Sequence, residues 1–165
     1  MLPLGREVLR QHEQRGCLSC IPMSVEFVLK LLGKVPPDYF ELQRDWIRRG
    51  GGRLARNDFR EFDGQTLFGV TFRAHYTPPD RGDAFPLDEL LAKIDDELAS
   101  LHYVIVSLAV EPPNWHNYVI FNPLPGGEFE AVTKGRPQEG RHAERITDVT
   151  RRVRYMRGTD ILTYD

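Results

Sequence analysis

The clearest apolar periodicity in the chain lies over residues 20–33, where Ile21, Val25, Val28, Leu29 and Leu32 recur at i, i+4, i+7, i+8 and i+11. That spacing lines one helical face, and Gly33 stands where a left-handed C-terminal cap belongs. Cys20 thereby falls at the helix N-terminus. Pro22 fits the first turn, where no intrahelical hydrogen bond is lost, although it biases Ile21 away from helical angles and blurs the start by a residue. After the breaker at residues 34–38, Asp38 is the expected cap of a second helix carrying Tyr39, Leu42, Trp46 and Ile47 and ending at the glycines 50–52. Residues 53–69 read as irregular or short helical structure with Leu67 and Phe68 buried. Alternation over residues 70–76 predicts a strand, and residues 77–84 a loop.

The second half is more regular. Leu87, Leu90, Leu91, Ile94 and Leu98 form one stripe of a helix over residues 86–99, with carboxylates on its other face. Residues 102–110 are nearly continuous apolar and β-branched, as suits a strand buried on both faces. A turn at 111–115 leads to a strand over 116–121, and residues 122–127 are a hairpin loop into a strand over 128–133. Residues 134–141 read as loop, 143–156 as helix, and 160–164 as a closing strand. Helices come first and the sheet after them, which predicts an α+β fold: an N-terminal helical half packed on a C-terminal antiparallel sheet.

Composition changes this picture little. The 165 residues fit a single domain, 1–165, and 41% hydrophobic with 28% charged residues suits one buried core. No apolar run precedes Gln14 or approaches the length of a membrane span, so neither a signal peptide nor membrane insertion is expected, and the default location is cytoplasmic. The net charge of −2 argues against nucleic acid as a partner, although arginines cluster over residues 43–60 and 136–157. Two cysteines three residues apart cannot staple distant parts of a fold, and a reducing compartment keeps them as thiols.

Chemistry concentrates at Cys20. Unpaired N–H groups and the dipole at a helix N-terminus favour a thiolate, so this thiol is expected to ionise readily. A cysteine nucleophile also needs a base, normally histidine, and a donor for the oxyanion. Of five histidines, His12 precedes the helix in a segment expected to be mobile and His142 lies in a polar loop. His75 and His102 sit in or beside strands, where packed histidines are common. His116 opens a strand next to Trp115, so its ring can project from a sheet rim.

With Gln14 six residues before Cys20, the cysteine opening an apolar helix that ends in glycine, and a helix leading to a buried strand and then a strand that opens with His116, the chain resembles the papain-like cysteine peptidases. Within them it is most similar to the compact bacteriocin-processing type, which cleaves leader peptides after double glycine. The resemblance spans most of the chain. It implies an acyl transfer in which Cys20 attacks the carbonyl, His116 pairs with it and Gln14 helps form the oxyanion hole. It implies a peptide or protein substrate, with no cofactor and no metal. The family usually places an Asp or Asn on the strand after the histidine to hold the ring, and here the hairpin brings Thr133 to about that position. Ile21 replaces the glycine that commonly follows the family's cysteine. No transporter segment accompanies the domain.

Two other readings use the same residues. Cys17 and Cys20 form a C-x-x-C pair fit for thiol redox chemistry or half a zinc site, though no strand precedes it and no second ligand pair is present. A degenerate papain-like module that binds a peptide or protein without cleaving it would explain the missing acid.

Overall fold

The computed structural model describes residues 1–51, 57–110, 114–135 and 143–165. Part of the turn expected at 111–115, most of the loop at 134–141, and His142 lie outside the described residues. Among those described are five α-helices, α1 (Arg6–Gln11), α2 (Cys20–Leu31), α3 (Glu41–Arg48), α4 (Leu87–Ala99) and α5 (Val149–Met156). Seven strands accompany them: β1 (Thr66–Leu67), β2 (Val70–His75), β3 (Val104–Ala109), β4 (Trp115–Leu124), β5 (Glu128–Lys134), β6 (Ala143–Ile146) and β7 (Ile161–Tyr164). They form one sheet in the order β1-β2-β7-β3-β4-β5-β6, antiparallel at every pairing. The fold is therefore α+β with an antiparallel sheet, as the order of elements predicts. No helix among the described residues is long and apolar enough to cross a membrane.

α2 is the centre of the helical half. It packs on β4 and is flanked by α1 and α3, so burial extends well beyond the one apolar stripe: Met23, Phe27, Val28 and Leu29 are fully enclosed, and so is the carboxylate of Glu26. Each such apolar side chain contributes about 1.5–3 kcal/mol of burial. The helix stops as its sequence dictates. Gly33 takes a φ of 68°, its N–H donates to the Lys30 carbonyl at 3.0 Å, and the Lys34 N–H reaches the Leu29 carbonyl at 2.9 Å.

Four expectations need correction. The helix of residues 38–50 begins at Glu41, not after Asp38, because the N–H groups of Leu42 and Gln43 donate to the Glu26 carboxylate on α2, a cap supplied from a neighbouring helix. In residues 57–69 the buried aromatics are Phe59 and Phe62 on a 3₁₀ turn. Phe68 instead occupies the two-residue turn between β1 and β2, where it and Gly69 have φ of 52° and 80°, and it is exposed. Residues 143–156 are not one helix, since 143–146 pair with β5 as an edge strand and the helix starts only at Val149, after Asp148. Finally, the segment before Cys20 is no mobile arm: it forms α1, and His12 is fully buried.

The closing strand β7 lies between β2 and β3, not at an edge. The last residues of the chain thus join the first hairpin to the rest of the sheet, and this places the loop after β2 beside the start of β4.

Candidate active site

The N-terminus of α2 and the first residues of β4 open on one cavity of about 1120 Å³, and Gln14, Cys17, Cys20, His116 and Thr133 all line it. Each arrives for a local reason. Residues 16–19 form a turn closed by the Ser19 N–H on the Gly16 carbonyl, and α2 starts directly after it, so Cys20 is the first helical residue. Gln14 is anchored by its own N–H on the carbonyl of Gly135 at the end of β5. Its side-chain amide donates to the Gly16 carbonyl at 2.7 Å, and only 4% of the residue is exposed. Cys17 is exposed, whereas Cys20 is half-buried.

The environment of Cys20 overturns the expected ease of ionisation. Burial pushes its thiol up to about 11, and the backbone N–H groups of Cys20 and Ile21 at the helix start recover only part of that rise. At a dry helix end, losing water outweighs gaining the dipole. The resting group is a thiol, and a thiolate there needs a proton acceptor in the cavity.

His116 is fixed by its neighbours on the sheet. The pairing of Val119 with Val132 sets Thr133 beside Tyr118 and diagonal to His116, on the same face of the sheet. Thr133 Oγ1 lies 2.9 Å from His116 Nε2 and donates its own proton to the Asn117 carbonyl at 2.8 Å. A hydroxyl has one proton, so towards the histidine it accepts, and the ring is held as the Nε2–H tautomer with the lone pair on Nδ1. Tyr118 packs edge-on against the imidazole at 5.7 Å. Trp115 lies under the Arg81 guanidinium at 3.8 Å, which brings the loop after β2 across the cavity rim.

Further residues belong to this region that the sequence reading passes over. On the opposite face of β4, buried Asn117 accepts from Ser107 Oγ at 2.8 Å, and both line the cavity. Asp160, also lining it, is raised to about 6 by burial and accepts from Thr77 Oγ1 at 3.2 Å. Behind the Gln14–Cys20 loop lies Gln43 of α3, fully buried. Its position was a legible anomaly, because a glutamine sits on the apolar stripe of Tyr39, Leu42 and Trp46. Away from the cavity, His75 bonds Thr163 and His102 bonds Glu97. No group of three or more His, Cys, Asp or Glu among the described residues could hold a metal ion.

Comparison of the chain with protein-family models, with curated proteins and with solved structures finds no match.

Proposed function

We propose that the chain is a papain-like cysteine hydrolase or acyl transferase that acts on amide bonds of a peptide or protein. The observation that carries this reading is the shared cavity: a cysteine at a helix N-terminus and a histidine held through Nε2 by Thr133 line the same space. In the reaction Nδ1 of His116 takes the Cys20 proton as sulfur adds to the carbonyl carbon. The oxyanion takes the Cys20 backbone N–H and the second amide proton of Gln14. The leaving amine then collects the proton from the imidazolium, and water or another amine releases the acyl group. Peptide-bond cleavage is the first choice; deamidation, transamidation and isopeptide cleavage use the same residues with a different acceptor.

The test is thiol reactivity in the intact chain. Iodoacetamide or an epoxide of the E-64 type is expected to modify Cys20 faster than Cys17 at pH 7, although Cys17 is the more exposed. Faster modification of Cys17 would refute the enzyme reading.

Thr133 is the weak member of the set, because a neutral hydroxyl steadies an imidazolium less than a carboxylate does. Thr133→Val, similar in shape, is expected to slow acylation of Cys20 by p-nitrophenyl acetate about 10- to 100-fold, by analogy with the cost of losing a group that orients a metal-bound histidine. An unchanged rate would assign Thr133 to packing alone. The specific observation favouring a second reading, a binding module with no turnover, is the high resting pKa of the thiol. That reading predicts slow, equal acylation in both proteins.

A further inference from the structure

We infer that Gln43, outside the cavity and on a different helix, is a positioning residue that sets the loop carrying the oxyanion donor and the nucleophile; the inference rests on the cysteine-hydrolase reading above. All four hydrogen-bonding positions of its carboxamide are taken. Nε2 donates to the Glu13 carbonyl at 2.9 Å and to Glu26 Oε1 at 2.8 Å, while Oε1 accepts from the Arg15 N–H at 2.7 Å and lies 2.9 Å from Ser19 Oγ, whose one proton it shares with the Gly16 carbonyl. Three of those partners bracket the site: Glu13 and Arg15 flank Gln14, and Ser19 directly precedes Cys20.

One helical turn on, Trp46 Nε1 donates to the Leu18 carbonyl at 3.0 Å, so α3 grips the loop at four points along residues 13–19. The grip has its own footing. Glu26 belongs to the same helix as Cys20, and its carboxylate also caps α3 through the Leu42 N–H at 3.1 Å. One carboxamide therefore sets the position of the residue before the nucleophile and of both neighbours of Gln14 against the body of α2. A core of this shape needs only an apolar side chain at position 43. A fully satisfied glutamine there supplies direction, which apolar contacts lack.

The consequence is a split between two reactions of one thiol. Acylation of Cys20 by p-nitrophenyl acetate passes through an oxyanion and depends on where the Gln14 amide and the Cys20 N–H point. Alkylation by iodoacetamide displaces iodide at sulfur and develops no oxyanion.

Gln43→Leu in the full chain is expected to slow acylation about 10- to 100-fold while alkylation changes by less than about threefold. Gln14→Ala should show the same split, and the double variant should be no slower than the slower single one, since Gln43 acts through Gln14 and its loop. Ser19→Ala, which removes the contact with Gln43 Oε1 together with the two that Ser19 Oγ makes with Gly16 in the same loop, should give a loss of the same kind and carries the test if Gln43→Leu does not fold. A merely structural role would lower stability and move both rates together, or add to Gln14→Ala in full; either result overturns the inference. If unmodified Cys20 is acylated no faster than Cys17, the hydrolase reading itself fails. If it is acylated faster and Gln43→Leu and Ser19→Ala leave that rate alone, only the positioning role fails.

Discussion

His116→Ala is expected to slow alkylation of Cys20 at pH 7 by about a hundredfold, the low end of what a positioned general base contributes. Burial leaves the Cys20 thiol at about 11, so roughly one molecule in 10⁴ is ionised at neutral pH, and fast reaction there depends on a base that takes the proton as sulfur attacks. The pH profile is the sharper readout. In the variant the rate should climb about tenfold per pH unit throughout the range from 6 to 9, as expected of a lone thiol; in the parent it should climb less steeply, because the imidazole takes the proton. The same tenfold climb in both proteins would mean that His116 does not take the Cys20 proton, however close the two lie in the cavity. Folding should be little affected, because His116 is only half-buried.

What was legible in the sequence was what depends on near neighbours. The Cys20 helix, its glycine stop, the helix of α4 and the strands of β3, β4 and β5 are all encoded in local periodicity, and the structure has them within a few residues. The nearness of His116 and Thr133 was also within reach, because a hairpin turns loop length into register, although the register differs by two residues from one that sets the pair directly opposite: Thr133 faces Tyr118 and reaches His116 diagonally. Contacts between distant segments were not. Residues 143–146 pair with β5 because that strand offers a free edge, which no local pattern reports. β7 enters the middle of the sheet for the same reason. The expected mobility of His12 rested on a polar run before α2; its burial depends on a lysine eighteen residues on and on the carbonyl of Met23. Even the ionisation of Cys20 reversed sign on this account: the helix end is a local feature, and the burial that overrides it is not.

Lys30→Met should be the most destabilising of these changes, by about 3 kcal/mol near pH 7, and markedly less so near pH 5. Lys30 is buried on α2, its ammonium donating to His12 Nδ1 at 2.8 Å and lying 3.7 Å from the centre of the Phe40 ring. His12 in turn donates from Nε2 to the Met23 carbonyl at 2.9 Å. Burial first, and then the charge of Lys30, holds the imidazole well below its ordinary range, so it stays neutral and accepts from the lysine. One turn away on the same helix, Glu26 is raised above the carboxylate range by burial, with the Lys30 charge opposing the rise. Methionine fills the volume of the lysine stem but leaves His12 Nδ1 without its donor and Glu26 without the nearby positive charge.

The direction with pH follows from Glu26. A carboxyl that titrates higher in the folded protein than in the unfolded chain favours folding most at low pH, and that contribution is lost as pH rises through the folded pKa. Without Lys30 the folded value moves higher still, so the loss grows from pH 5 to about pH 7; above that the parent's Lys30, lowered to about 8 by burial, sheds its own charge. Near pH 5 the carboxyl holds its proton, so the missing positive charge matters least there. Urea unfolding of parent and variant at the two pH values measures the difference directly. A loss that is the same at both would mean that the lysine contributes packing alone and that the charge beneath the Cys20 helix is not coupled to its stability.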